Sequence, residues 1–379
     1  MQNSGIAPRP FLNKRFPKGF LWGSATSAYQ VEGGNKNSDW EHWKVRAGRA
    51  CDHHHRYEED FDLAQSLNQN AHRFSIEWAR IEPEKGKFDE KEVEHYREVL
   101  RSLARRRIKP LVTLHHFSNP LWVAERGGWE NPSTAGYFES YVRYVVTQLA
   151  DLCDFWVTIN EPWVYLSEGY LYRRWPPEKC NPLAAFKVGK HLFQAHRGAY
   201  RLIHTIQPRA KVGIAYSLAH IRTPFRFNPL SLWERSCLNW AKVQDFIGVN
   251  YYRSLTPFWS DLSKTDVGWE IYPEGLYRIL HDLKKFNLPI YITENGIADA
   301  KDEKRANFIS DHLVSVWRAL QEDVDVRGYF YWSLLDNFEW ARGFGPRFGL
   351  VAIDYETMER SVRPSAEVYA KIAKRNALE

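Results

Sequence analysis

The chain has 379 residues, of which 44% are hydrophobic and 26% charged, and its formal net charge is +6. This composition is typical of a globular protein with a large core, and it excludes a mostly disordered chain. The first residues lack the apolar core of a signal peptide, and no later run approaches the ~18 apolar residues of a membrane span. These features predict a cytoplasmic protein that has no membrane contact.

Three features that could suggest a metal or nucleic acid partner have simpler explanations. The basic run at 105–107 ends a predicted amphipathic helix, where the helix dipole favours positive side chains. The adjacent histidines at 53–55 begin another predicted helix, so they point in different directions and cannot converge on one ion. The cysteines lack C-x-x-C spacing and are expected to be reduced: Cys51, Cys153, Cys180 and Cys237. We therefore expect no metal, no cofactor and no nucleic acid partner.

Eight short apolar or β-branched runs predict eight β-strands. In chain order they cover residues 20–25, 71–76, 110–114, 155–159, 212–215, 246–250, 290–293 and 329–332. Helical periodicity fills several intervals, most clearly at 89–107, 134–149 and 308–320. Alternating strands and helices predict a parallel sheet. The lack of a glycine-rich dinucleotide fingerprint favours a closed (β/α)8 TIM barrel over an open doubly wound sheet.

No linker or internal repeat interrupts this pattern, so residues 1–379 are predicted to form a single α/β domain. Residues 1–15 are interpreted as an N-terminal arm, and a closing helix is predicted to begin at Pro364.

Two glutamates follow predicted strands. Glu161 comes after the fourth strand in Thr-Ile-Asn-Glu-Pro, and Glu294 comes after the seventh in Ile-Thr-Glu-Asn-Gly. The carboxyl ends of barrel strands carry the site, so both carboxylates are expected to face one cavity. Either glutamate alone would more often be a solvated or ion-paired loop residue. Together they suit glycoside hydrolysis, which uses two carboxyl groups.

The segments around these glutamates resemble the two catalytic signatures of glycoside hydrolase family 1, the β-glucosidase family. Four further segments resemble the same family in its own order. They begin Phe20-Leu-Trp-Gly-Ser-Ala, Arg73-Phe-Ser-Ile-Glu-Trp, Asn250-Tyr-Tyr and Trp332-Ser-Leu-Leu-Asp-Asn-Phe-Glu-Trp. The resemblance covers residues 16–373, and six ordered motifs are far more specific than any one.

The resemblance implies a retaining β-glycosidase that works through a covalent glycosyl-enzyme intermediate. Glu294 would be the nucleophile and Glu161 the acid/base. Arg73, Tyr252 and Asn250 match residues that support this pair, and a cation and a phenol beside Glu294 could keep it ionised. No cofactor is implied.

The same resemblance implies a binding site for a small β-glycoside or oligosaccharide. The residues that would bind the sugar are Gln30, His116, Phe117, Asn160, Trp332, Glu339, Trp340 and Phe348. Asn160 would bind the sugar 2-hydroxyl, whose hydrogen bond strengthens in the transition state. Phe117 departs from the family pattern, which has Trp there, and so loses an indole donor.

Two other functions remain as alternatives. A catalytically silent sugar-binding barrel is expected to have lost one of the carboxylates, whereas this chain keeps both. A 6-phospho-β-glycosidase is disfavoured because an anionic Glu339 would repel the phosphate. Unphosphorylated β-D-glucosides are therefore expected as substrates, with galactosides and fucosides as related substrates that these residues do not separate.

The connection between the fifth and sixth strands, residues 217–245, is much shorter than is usual in the family. A short connection predicts a wide entrance and weak discrimination among leaving groups. A homo-oligomer that covers this entrance is left as an alternative.

Overall fold

Eight parallel strands pair side by side into a closed barrel in a computed structural model that describes residues 14–222, 243–256 and 260–378. The strands, labelled β1 to β8, are Leu21–Ala25, Ala71–Ser75, Lys109–Thr113, Phe155–Asn160, Lys211–Ser217, Phe246–Asn250, Ile290–Asn295 and Val326–Trp332. Each strand pairs with its neighbours in sequence, and β8 pairs with β1 through Tyr331 opposite Ser24. The predicted (β/α)8 barrel is confirmed.

Helices surround the barrel, because its parallel strands are buried on both faces. The α-helices are Ala28–Val31, His53–Ser66, Trp78–Ile81, Glu90–Arg105, Leu121–Glu125, Thr134–Leu149, Pro162–Leu166, Pro182–Ile206, Pro273–Leu283, Arg305–Gln321 and Pro364–Arg375. Short 3-10 turns lie at Asp39–His42, Gly128–Glu130, Lys284–Phe286 and Trp340–Arg342, and a π-helical turn lies at Ser167–Leu171. No helix among the described ranges is long and apolar enough to cross a membrane.

The helix Glu90–Arg105 illustrates how the sequence builds these elements. Asp89 caps its N-terminus by accepting from the backbone N–H of Lys91 at 2.9 Å. Its apolar stripe is buried against the barrel, as predicted, and includes Val93, Tyr96, Leu100 and Leu103. The basic run at its end forms ion pairs with Glu58 and Asp62 of the helix His53–Ser66.

The predicted elements differ from the structure mainly at their ends. All eight predicted strands are present, but the seventh extends two residues further, so Glu294 lies within β7 rather than after it. The predicted closing helix begins at Pro364 and ends at Arg375. Of the predicted 1–15 arm, the structure describes Lys14–Arg15, which pairs with Ala377–Leu378, and the rest lies outside the described residues. Most of the 217–245 connection also lies outside them.

The cysteines and the three adjacent histidines lie in separate environments. Cys51 and Cys153 are buried, Cys180 is exposed and all three are free thiols, while Cys237 lies outside the described residues. The three adjacent histidines have different partners, namely Asp60 for His53, the stacked ring of His95 for His54 and Asp52 for His55. In the described ranges, no group of three or more His, Cys, Asp or Glu residues is arranged to hold a metal ion.

A buried ion pair anchors the loop after β8 to the C-terminal helix. The two terminal guanidinium nitrogens of Arg363, Nη1 and Nη2, donate to the two carboxylate oxygens of Asp336, at 3.0 and 2.9 Å. The backbone N–H of Gly349 also donates to Asp336 at 2.8 Å. Because Asp336 is fully buried, removing its charge would leave Arg363 buried beside a neutral partner.

We expect Asp336→Asn to lower the free energy of unfolding by about 3 kcal/mol, because a buried guanidinium loses its counter-ion. Guanidinium chloride unfolding followed by tryptophan fluorescence measures the change. The matched control is Glu84→Gln, which breaks the exposed Lys87–Glu84 pair and should change stability by less than about 0.5 kcal/mol. Equal losses in the two variants would contradict the anchoring role.

Candidate active site

A cavity of about 630 Å³ opens at the carboxyl ends of the barrel strands. Both predicted catalytic glutamates line it, Glu161 directly after β4 and Glu294 within β7. The sugar-site residues predicted from the sequence that also line it are Gln30, His116, Phe117, Trp332, Glu339 and Trp340. The fold therefore brings together residues that are more than 300 positions apart in the chain.

Glu161 turns the chain from strand to helix. Its backbone is left-handed, with φ of 43°, its N–H donates to the carbonyl oxygen of Ala215 at 2.7 Å, and Pro162 begins the next helix. A non-glycine residue in this region is held there by its surroundings, and such positions cluster at functional sites. Burial, and then the charge of Glu294, raise the pKa of Glu161 to about 8.

Glu294 has a different environment although it is equally buried. The Arg73 guanidinium donates to its Oε1, and the Tyr252 hydroxyl donates to its Oε2 at 2.5 Å. Burial raises the pKa of Glu294, whereas the Arg73 charge and these hydrogen bonds lower it. Among the described residues, Glu161 has one side-chain donor, the neutral Asn250 amide at 2.8 Å. Glu294 therefore loses its proton before Glu161 does.

Arg73 is fully buried and connects four strands of the barrel. Besides its bond to Glu294, its guanidinium donates to the Thr113 hydroxyl at 3.1 Å and to Oδ1 of Asn160 at 2.6 Å. It also donates to the carbonyl oxygen of Thr293 at 3.2 Å. A planar guanidinium with several fixed donors can hold these groups in one geometry, which a lysine could not do.

Asn250 lies between the two carboxylates. Its amide nitrogen donates to Glu161 at 2.8 Å and to Oδ1 of Asn160 at 3.1 Å. Its amide oxygen accepts from the Thr293 hydroxyl at 2.6 Å, which fixes the orientation of the amide. Asn250 thus positions the Glu161 carboxyl relative to the strand that carries Glu294.

The side chains at the base of the cavity have assignable donors and acceptors. Since Oδ1 of Asn160 accepts from Arg73 and Asn250, its Nδ2 must donate to Nε2 of His116, 3.2 Å away. Burial lowers the pKa of His116, so the ring is neutral and carries its proton on Nδ1. Nδ1 of His116 and Oε2 of Glu339 are buried and have no hydrogen-bond partner among the described residues.

Aromatic rings form the walls of the cavity. His116 lies nearly parallel to Trp332 and Trp340, with ring centroids 5.9 and 6.1 Å away. Phe117 packs against Trp340 at 5.2 Å, so the wall is apolar here, as predicted. The predicted site residue Phe348 lies behind this surface, with its ring 6.1 Å from that of Tyr252.

Gln30 and Glu339 flank the base of the cavity. The Gln30 amide donates to Oδ1 of Asn337 at 3.0 Å and to the carbonyl oxygen of Phe338 at 2.7 Å, which connects the helix after β1 to the loop after β8. Burial, and then the charge of Glu294, raise the pKa of Glu339 to about 8. The cavity thus contains a third buried carboxyl group beside the pair.

Other lining residues were not identified from the sequence. They lie on the loops after β4, β6 and β8, and they include Trp163, Glu168, Arg174, Trp175, Arg253, Trp269 and Arg342. None is a recognised site position in the six motifs. The available signal was the dense mixture of aromatic and arginine residues in the segment 172–175.

A closed (β/α)8 barrel with two differently held buried carboxyl groups in one sugar-sized cavity suits a glycosidase. Comparisons with known proteins agree with this class. The sequence profile of Glycosyl hydrolase family 1 matches residues 12–237 and 256–378. The chain therefore belongs to glycosyl hydrolase family 1, as its motifs predict.

The relatives cover nearly the whole chain. β-Glucosidase A of Thermotoga maritima is 35% identical over 442 aligned positions, which cover 97% of this chain and 99% of that protein. A β-galactosidase of Pyrococcus woesei is 30% identical, with 96% and 98% covered.

Solved structures are equally similar. A β-glycosidase from Pyrococcus horikoshii superimposes with a TM-score of 0.90, 40% identity and 97% of each chain covered. The T. maritima β-glucosidase in complex with castanospermine gives a TM-score of 0.90 at 32% identity, with 97% of this chain and 100% of that chain covered.

We expect a bell-shaped pH dependence of kcat/KM for 4-nitrophenyl β-D-glucoside. Activity requires Glu294 ionised and Glu161 protonated, so it rises as Glu294 loses its proton and falls as pH increases through about 8. Glu161→Gln should abolish the alkaline limb. Because the charge of Glu339 raises the pKa of Glu161, the control Glu339→Gln should keep this limb but move it to lower pH. An unchanged limb in Glu161→Gln would contradict the assignment.

Proposed function

We propose that this glycosidase hydrolyses unphosphorylated β-D-glucosides and related β-glycosides with retention of anomeric configuration. The observation that carries the proposal is the contrast between two buried carboxyl groups in one cavity. Glu161 is raised to a pKa of about 8, while Glu294 is held by a guanidinium and a phenol. An acid that keeps its proton and a nucleophile that has lost it are what the double displacement needs.

In the first step, a carboxylate oxygen of Glu294 attacks the anomeric carbon from the α face. The bond to the leaving-group oxygen breaks as that oxygen takes the proton of Glu161. The products are an α-glycosyl ester of Glu294, an alcohol and an ionised Glu161. Because the ester is neutral, the charge that raised the pKa of Glu161 disappears as the intermediate forms.

In the second step, the Glu161 carboxylate takes a proton from water. The water oxygen attacks the anomeric carbon from the β face, and the ester bond to Glu294 breaks. Glu294 recovers its charge beside Arg73, and Glu161 recovers its proton. The two inversions give a β-configured product.

The sugar is proposed to lie at the base of the cavity. The unpartnered Oε2 of Glu339 supports a role in binding hydroxyl groups at the sugar's far end, with Gln30 beside it. The parallel rings of Trp332 and His116 offer flat surfaces for a pyranose ring. Asn160, fixed by Arg73, is proposed to bind the 2-hydroxyl. Glucosides, galactosides and fucosides can all use this set.

The alternative functions have less support. A catalytically silent sugar-binding barrel does not require a buried cation and a phenol beside one carboxylate. Burying these groups lowers the stability of the fold unless they keep a functional carboxylate ionised. A 6-phospho-β-glycosidase has less support because the 6-phosphate would lie beside the buried carboxyl group of Glu339, which repels the phosphate when it is ionised.

We further propose that residues 1–379 act as a single domain. The pairing of Lys14–Arg15 with Ala377–Leu378 supports this, because it joins the two ends of the described chain on one barrel. The free thiols Cys51, Cys153 and Cys180 support the predicted cytoplasmic location.

We expect Glu294→Ala to lower turnover by at least roughly 10⁴-fold, since the nucleophile is lost. With 2,4-dinitrophenyl β-D-glucoside and added azide, this variant should form the α-glucosyl azide, because azide enters from the face that Glu294 occupied. Glu161→Ala should form the β-glucosyl azide from the glycosyl-enzyme. Product configuration is read by NMR.

The matched control is Glu339→Ala, which removes the third buried carboxyl group and should give no α-azide. A β-azide from Glu294→Ala, or an α-azide from Glu339→Ala, would reassign the nucleophile.

A further inference from the structure

Three arginines converge at the mouth of the cavity. Arg174 follows the π-helical turn after β4, Arg253 follows Tyr252, and Arg342 ends the 3-10 turn after Glu339. All three line the cavity and all three are exposed, whereas the catalytic pair is buried. The arginines therefore mark the outer part of the same cavity.

Among the described residues, these positive charges exceed the negative charge near them. Glu168 is half-buried between the arginines, and each of the three guanidinium groups lowers its pKa, which burial raises. Its nearest guanidinium nitrogen belongs to Arg174, at 3.4 Å. Arg253 and Arg342 form no salt bridge with a carboxylate in the described ranges. Within the described part of the chain, three cations thus share one carboxylate.

The catalytic carboxyl groups do not account for this surplus. The arginine that lowers the pKa of both Glu161 and Glu294 is the buried Arg73. Arg342 lowers the pKa of Glu339, but burial and the charge of Glu294 still raise that pKa to about 8, so this carboxyl group is largely protonated at neutral pH. The mouth remains positively charged.

The surplus lies on the leaving-group side of the site. Glu161 protonates the leaving oxygen in the proposed mechanism. The chain continues from Glu161 to the turn Ser167–Leu171, which contains Glu168, and then to Arg174. The proposed sugar-binding residues Gln30 and His116 are buried at the base instead. A leaving group that projects from the sugar towards solvent would pass the arginines.

Aromatic rings accompany these charges. The Arg253 guanidinium lies 5.1 Å above the ring of Trp269, which packs 5.6 Å from Tyr252. Trp163 also lines this part of the cavity. A flat apolar group can rest on such rings while an attached anion reaches the guanidinium groups.

We propose that the leaving-group subsite selects aglycones that join an apolar, preferably aromatic, body to an anionic group, with Arg253 and Arg342 as the specificity-determining residues. This inference rests on the proposed glycosidase function and names its substrate class. The anion is a carboxylate or a sulfate on the aglycone, and no charge is required on the sugar.

The test compares 4-(carboxymethyl)phenyl β-D-glucoside with the neutral 4-(carbamoylmethyl)phenyl β-D-glucoside. The methylene group insulates the phenol oxygen, so the two leaving groups are nearly matched in pKa and size. We expect kcat/KM for the anionic substrate to be roughly 3- to 10-fold higher at low salt. In 0.5 M NaCl the ratio should fall below roughly twofold, because the arginines are exposed.

Substitutions of the arginines test which residues cause the preference for the anionic substrate. Arg253→Gln should lower the anionic-to-neutral ratio at least about twofold, and Arg253→Gln combined with Arg342→Gln should bring it close to 1. The control is Arg173→Gln, which removes the same charge from an exposed arginine that is adjacent to Arg174 but does not line the cavity. It should leave the ratio within about 1.5-fold of the parent.

The outcomes separate this inference from the proposed function. If neither glucoside is cleaved, the proposed function fails. If both are cleaved with a ratio of 1 or less in the parent enzyme, the charged subsite is wrong and the glycosidase stands. An equal fall of the ratio in Arg173→Gln would also overturn the inference, since net charge alone would then explain it. Preference for a 6-phosphorylated glucoside over the plain glucoside would place the anion on the sugar and overturn it as well.

Discussion

The Arg73 guanidinium lies in the middle of the barrel without solvent contact, bonded to Glu294, Asn160, Thr113 and Thr293. A buried cation is costly unless each of its donors has a partner, and truncating one partner of such a pair costs about 3–5 kcal/mol. The barrel meets this requirement by ending β2, β3, β4 and β7 around one planar group. The geometry of the site therefore depends on this one residue.

The charge of Arg73 also makes two chemically identical side chains different. Glu294 receives the guanidinium and the Tyr252 hydroxyl, whereas Glu161 receives the neutral Asn250 amide and faces the charge of Glu294. These contacts favour the ionised form of Glu294 and the protonated form of Glu161. Towards solvent the cavity becomes positively charged, since arginines outnumber carboxylates among the described residues at the mouth. Sugar chemistry and leaving-group selection are thus separated along the depth of a single cavity.

Much of this site was predictable, because Glu161 and Glu294 follow short apolar runs whose strand ends must meet in a barrel, and Arg73 belongs to a segment that resembles a family motif. The seventh strand was predicted too short because Glu294 and Asn295 are polar, and hydropathy does not reveal that Tyr329 satisfies Asn295 at 2.7 Å. The mouth was not predictable from motifs. Arg253 and Trp269 meet only through loop packing, which depends on the whole fold and not on local pattern. The single-domain organisation and the cytoplasmic location stay predictions.

The central claim is that Glu294, held by Arg73, forms the covalent bond to the sugar. It is tested most directly by incubating the enzyme with 2-deoxy-2-fluoro-β-D-glucosyl fluoride, whose fluorine slows both steps while the good leaving group lets the first proceed. Peptide mass spectrometry then locates the label. A single 2-fluoroglucosyl group on Glu294, with loss of activity at one equivalent, is the predicted result. A label on Glu161 or Glu339, or turnover without any labelled peptide, would contradict it.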